Sequence, residues 1–94
     1  MVKHIVFFKH SEFAGLKDEL VLKLTALKKD IGYIVDLEVG VDFLGGERSF
    51  NLALTVTLAS KDDLARYATD PKHLPVVEWI RSNGFETKVV DYEF

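Results

Sequence analysis

Cysteine is absent from the 94 residues, which excludes disulfides, thiolate metal sites and a cysteine nucleophile. Its absence fits a reducing compartment, and a cytoplasmic location is expected. Long apolar runs are missing as well. Ile5-Val6-Phe7-Phe8 is far too short for a signal-peptide core or a membrane span, and no small-residue cleavage site follows it. No membrane partner is expected. Positive charge is scarce: 12 Lys and Arg stand against 15 Asp and Glu, a net charge of −3. A nucleic-acid surface needs clustered cations to neutralise phosphates. Here Lys17, Lys23, Lys28 and Lys29 are interspersed with Asp18, Glu19 and Asp30, the pattern of a solvated helix face, so no nucleic-acid partner is expected. Gly45-Gly46 lacks the G-x-G-x-x-G setting of a nucleotide cradle and reads as a loop. Three histidines form no recognisable ligand set, and Asp70, three residues before His73, is better used as a helix cap. No metal and no cofactor are expected.

What remains, at 48% hydrophobic and 29% charged, is an ordinary globular composition, and residues 1–94 are expected to form one domain. Val2 to His10 is β-branched and aromatic. Val2, His4, Val6 and Phe8 share one face while Lys3, Ile5, Phe7 and Lys9 share the other, so a central strand covered on both sides is predicted. After Gly15 the period changes. Leu16, Leu20, Leu24 and Leu27 recur at helical spacing, with Lys28, Lys29 and Gly32 closing a helix of about four turns. Tyr33 to Phe43 alternates apolar and acidic residues, which predicts an edge strand. Phe50 to Leu58 predicts another strand. Ser60 through Asp63 resembles a capping box opening a helix with Leu64, Tyr67 and Ala68. Pro71 must end or kink that helix. A second segment follows, with Asp70 as its cap and Pro71 in its first turn, and ends at Asn83-Gly84. Thr87 to Phe94 closes the chain as a strand.

The order βαββαβ predicts an α+β fold on the ferredoxin-like plan: a four-stranded antiparallel sheet, first and third strands central, with helices on one face. Two crossovers cannot cover both faces. The bare face would carry Ile5, Phe7, Val90 and Tyr92 beside Ala53 and Thr55, so packing against a second copy, a homodimeric α/β barrel, is expected.

Reactive groups cluster between Tyr67 and His73. Their spacing of six does not fit one helix face, but the break at Pro71 could fold them together. A histidine early in a helix, and buried, should stay neutral, as a general base requires. A tyrosine hydroxyl beside it could steady a developing enolate oxygen. His4 lies on the apolar face with Val6 and Phe8, facing strand residues Leu52 and Leu54, as a pocket support. His10 reads as surface.

The opening Lys3-His4-Ile5-Val6, the Tyr67…Asp70-Pro71-x-His73 segment and the closing Val89-Val90-Asp91-Tyr92 together resemble the stress-responsive dimeric A/B barrel (Dabb) family over essentially the whole chain. The resemblance implies a small homodimer with no assigned reaction, holding a small apolar or aromatic ligand between helices and sheet. One branch, similar to olivetolic acid cyclase, implies instead a cofactor-free aldol cyclase in which Tyr67 and His73 are the reacting pair and His4 lines the pocket. Leu52 stands where that branch has a histidine, and Gly84 where it has a bulky aromatic. The ligand-binding set expected is His4, Val6, Phe8, Leu52, Leu54 and Val76.

Overall fold

The computed structural model describes all 94 residues. Strand β1 (Val2–Lys9) leads into helix α1 (Phe13–Asp30). Strands β2 (Asp36–Val41) and β3 (Leu52–Leu58) follow, then the short helices α2 (Lys61–Ala68) and α3 (Leu74–Ser82), and strand β4 (Glu86–Glu93). The four strands form one antiparallel sheet in the order β2-β3-β1-β4. Those connections give the ferredoxin-like α+β fold, with β3 and β1, the latter apolar on both faces, in the centre.

The core is a single cluster under α1. Leu20, Leu24 and Leu27, on one helical stripe, meet Leu52, Leu54, Val56 and Leu58 of β3, with Val6 and Phe8 of β1 beside them. Each such side chain withdrawn from water contributes about 1.5–3 kcal/mol before entropy is counted. Tyr67, 1% exposed, is the largest side chain in the cluster. No helix is long and apolar enough to cross a membrane.

Local chemistry explains where the boundaries differ from the sequence expectation. Helix α1 begins at Phe13 and carries Gly15 in its first turn, with no side-chain cap at Glu12. Gly32 does not terminate it through a left-handed backbone. Instead the Ile31 N–H donates to the Leu27 carbonyl at 2.9 Å, and buried Ile31 and Ile34 pin the connection. Tyr33 therefore sits in that connection, and β2 starts only at Asp36. Ser60 caps α2 as expected, its Oγ accepting the Asp63 N–H at 3.1 Å. Gly84, at φ +77°, lets the chain turn out of α3. Pro71 is not a helix residue. Asp70 to His73 is a hydrogen-bonded turn, in which the Asp70 carbonyl accepts from His73 and Leu74. The first-turn proline of α3 is Pro75.

The sheet face away from the helices is bare. It carries Phe7, Val90 and Tyr92 at 38%, 52% and 44% exposure, with Ile5, Ala53 and Thr55 between them. Along β2 the same face presents Asp36 and Glu38, an acidic rim at the sheet edge.

Candidate functional site

The turn at Asp70–His73 folds α3 back beside α2, and this is what brings Tyr67 and His73 together. Their rings stack with centroids 4.0 Å apart and planes 26° from parallel. His4, on the inner face of β1, meets the edge of the Tyr67 ring at 5.8 Å. The three side chains line one cavity of about 170 Å³ between the sheet and α2–α3. Val6, Phe8 and Leu54 form its floor and Val76, Val77 and Ile80 its roof. Thr87 and Val89 of β4, both exposed, stand at its open side.

Two polar atoms in this apolar setting have no partner. The Tyr67 hydroxyl and the His73 Nδ1 are buried and make no hydrogen bond within the protein. Buried polar atoms are paired in nine cases of ten or more, because an unmade bond leaves about 1–3 kcal/mol of desolvation uncompensated. Burial pushes the Tyr67 phenol well above its usual range, and the nearby Tyr33 adds to the effect. Burial likewise lowers the pKa of His73. The Ala68 and Tyr67 carbonyls act the other way without meeting Nδ1 in hydrogen-bond geometry, and His4 adds to the lowering. At neutral pH the site therefore holds a protonated phenol against a neutral imidazole.

The depressed His73 value has a measurable sign. Between it and the ordinary histidine value of about 6.5, the unfolded chain binds more protons at this position than the native chain. The stability this group contributes is thus complete above about pH 6.5 and is lost as pH falls through that window. In His73→Phe the urea midpoint is expected to drop less between about pH 7.5 and 5 than in the parent chain.

His4 is held from the far side. Its Nδ1–H donates to the Asp91 carboxylate at 2.5 Å, across the β1–β4 register pair His4–Asp91. That fixes the ring's orientation and leaves Nε2 free of this bond. Asp91 was missing from the sequence-derived set, although its signal was present. If Val90 and Tyr92 face outward, Asp91 must face His4. Val77 and Ile80 were missed too, yet they follow His73 at helical spacings of four and seven.

Of the residues expected to line the pocket, His4, Val6, Phe8, Leu54, Val76, Tyr67 and His73 do so, and Leu52 does not. Leu52 pairs with Phe8 and Val41 and is 2% exposed in the core, on the side of the sheet away from β4 where the cavity opens. His10 is not a bare surface residue. Its Nε2–H donates to the Asn83 carbonyl at 2.7 Å and its Nδ1 accepts the Glu12 N–H, clasping the far end of α3.

A family model described as the stress responsive A/B barrel domain matches residues 2–94. The chain belongs to this family. A dimeric ferredoxin-like protein of unknown function from Bacteroides fragilis superposes with TM-score 0.85 at 31% identity, covering 99% of this chain and 95% of that one. A dimeric ferredoxin-like protein of unknown function from Thermobifida fusca gives TM-score 0.85 at 17% identity, over 99% and 90%. Hydroxynitrile lyase from Passiflora edulis gives TM-score 0.80 at 22% identity, over 97% and 90%, a likeness of fold. Comparison with curated proteins yields no match.

Proposed function

We propose that this Dabb chain is a homodimer whose protomers each enclose one small, neutral, largely apolar carbonyl compound and act on it by cofactor-free proton transfer. The observation that carries the reading is the pair of partnerless buried groups, Tyr67 OH and His73 Nδ1, on stacked rings lining one cavity. Each atom exposes less than 1 Å², so a ligand oxygen and an acidic hydrogen would satisfy both after a small shift of the rings towards the cavity. Neutral His73 takes the proton from carbon next to the carbonyl; the electron pair moves onto oxygen, where the Tyr67 hydroxyl stabilises it by hydrogen bonding. His4, held by Asp91, bounds the reacting atoms. Reprotonation, or attack of the carbanion on a second carbonyl, completes the cycle and returns the proton from His73. Aldol cyclases begin with that step, and the hydroxynitrile lyase among the structural neighbours is an enzyme on the same fold.

Size narrows the ligand. The cavity of about 170 Å³ is close to the roughly 150 Å³ spaces that admit a benzene-sized guest, and far below the roughly 300–1,000 Å³ that enclose drug-sized molecules. A single substituted ring or a branched five- to eight-carbon chain suits it better than an extended polyketide. No Lys or Arg lines the cavity, and the Asp91 carboxylate stands behind His4, so an uncharged compound is favoured over a carboxylate. The homodimer rests on the bare apolar sheet face and on dimeric neighbours of the same fold.

Acetophenone and acetylacetone are suitable probes, with turnover read as exchange of α-hydrogen for deuterium by NMR in D2O. The parent chain is expected to speed exchange, and His73→Ala to lose about 10²–10⁴ of that acceleration. A thermal shift in the parent that is lost in both Tyr67→Phe and His73→Ala, without exchange, points to a binding protein that performs no chemistry. Equal shifts in all three remove this pocket from any function.

A further inference from the structure

Helix α3 roofs the cavity yet has no fully buried residue, so its position depends on how its ends are tied. The C-terminal end is clasped by His10 at Asn83 and by Phe85, which packs against Phe8 and Trp79. The N-terminal end bears His73, and there the tie comes from outside the pocket. The Tyr33 hydroxyl donates to Asp70 Oδ2 at 2.8 Å, across 37 residues of sequence. The other carboxylate oxygen accepts the Lys72 N–H at 2.9 Å. Arg66 lies over the Tyr33 ring at 4.0 Å, and Lys72 Nζ reaches the Asp30 carbonyl at the end of α1 at 2.9 Å.

We propose that Tyr33 and Asp70 are positioning residues for the site: their hydrogen bond locks the α2–α3 turn against the end of α1 and so holds the His73 ring face-on to Tyr67. Tyr33 suits the task because it stands on a fixed platform, between buried Ile31 and Ile34. Asp70 suits it because one carboxylate bonds both Tyr33 and the turn's own backbone, so the turn cannot shift without breaking one contact or the other. The remaining ties act differently. Lys72 holds the turn through a long flexible arm, and Arg66 stacks on the ring without contacting the turn. Only the Tyr33–Asp70 bond joins the rigid connection after α1 to the carboxylate that itself bonds the turn's backbone ahead of His73. Burial first, and then the adjacent Asp70 carboxylate, raise the Tyr33 phenol to about 12, so the donor proton is present throughout the neutral range.

The inference rests on the proposed site, but its test does not need a substrate. Tyr33→Phe removes one hydroxyl and keeps the ring under Arg66, and Asp70→Asn keeps an acceptor for the turn while weakening the tie. Proton and carbon NMR of His73 reads both its titration and the ring-current shift imposed by Tyr67. In Tyr33→Phe the His73 ring protons are expected to move towards their unstacked positions and the titration midpoint to rise towards that of a solvated histidine. Asp70→Asn should give a smaller change in the same direction. Unchanged shifts and titration in Tyr33→Phe, even with a lowered melting temperature, would make the bond a purely structural tie and overturn the proposal. Loss of stacking in Tyr33→Phe, with a parent chain that catalyses no exchange, leaves the lock standing and removes the proposed chemistry, so the two failures are distinguishable.

Discussion

Tyr67→Phe is expected to be more stable than the parent chain by about 1–3 kcal/mol and, in the exchange assay, slower by about 10²–10³. The two effects have one origin. The Tyr67 ring is 1% exposed and sits in the main core cluster, and its stack on His73 depends on the ring alone. Phenylalanine preserves all of that. What it removes is a hydroxyl that left water on folding and found no partner. The desolvation cost disappears, and so does the donor that would meet a developing oxyanion. For a domain of this size the stability gain appears as a rise in melting temperature of roughly 4–8 °C per kcal/mol. A purely structural tyrosine predicts the opposite pattern, because its hydroxyl would be bonded and its loss would destabilise. Urea unfolding and α-hydrogen exchange on the same two proteins separate the cases. Lowered stability with unchanged exchange would show that the hydroxyl has a structural partner and no chemical role.

That trade of stability for a poised polar group was only partly legible in the amino-acid sequence. The fold was legible because its signals are local and repeated: the stripe of Leu20, Leu24 and Leu27, the two-sided apolar faces of β1 and the serine cap at Ser60. The approach of Tyr67 to His73 was legible in outline, since a spacing of six with a proline between them demanded a turn. The partners of these groups were not, because they are set by register and packing over long separations. Asp91 reaches His4 across 87 residues, through a strand pairing that alternation suggests but does not fix. Tyr33 fits an alternating strand pattern as well as Val35 or Leu37 does. It was drawn out of the strand by buried Ile31 and Ile34 and by a carboxylate 37 residues away. Leu52 looked like pocket floor because it shares a face with Leu54. Which part of that face lies over the cavity depends on where α3 sits, and α3, amphipathic but nowhere fully buried, carries little of that information in its own residues.

The second large effect is expected at the opposite face of the sheet. Val90→Lys should raise the dissociation constant of the proposed dimer by about a hundredfold or more while leaving the protomer fold intact. Val90 is 52% exposed in the protomer, on the outer face of β4 and in register with Ile5, so the core does not depend on it. A two-fold interface places the substituted position in the contact twice. Two ammonium groups would then lose water beside Ile5, Phe7 and Tyr92 with no carboxylate opposite them on β1, and repulsion or unpaired burial of this kind costs several kcal/mol. At 1.4 kcal/mol per tenfold change, that suffices to dissociate a micromolar dimer. The acidic rim of Asp36 and Glu38 sharpens the expectation. A lysine that could reach this rim would be tolerated, so Val90→Glu, which cannot pair there, should dissociate the dimer at least as completely. Sedimentation velocity across the micromolar range reads the effect directly. If both variants sediment with the parent as dimers, the copies meet through another surface. If the parent itself is a monomer, the bare face is covered by something other than a second copy. Where dissociation does occur, the cavity offers an internal control. All its lining residues belong to one protomer, so His73 titration should be unchanged in the separated chains. A coupled change would mean that the sheet transmits the interface to the pocket through β1, the one strand that carries His4 on one face and Ile5 on the other.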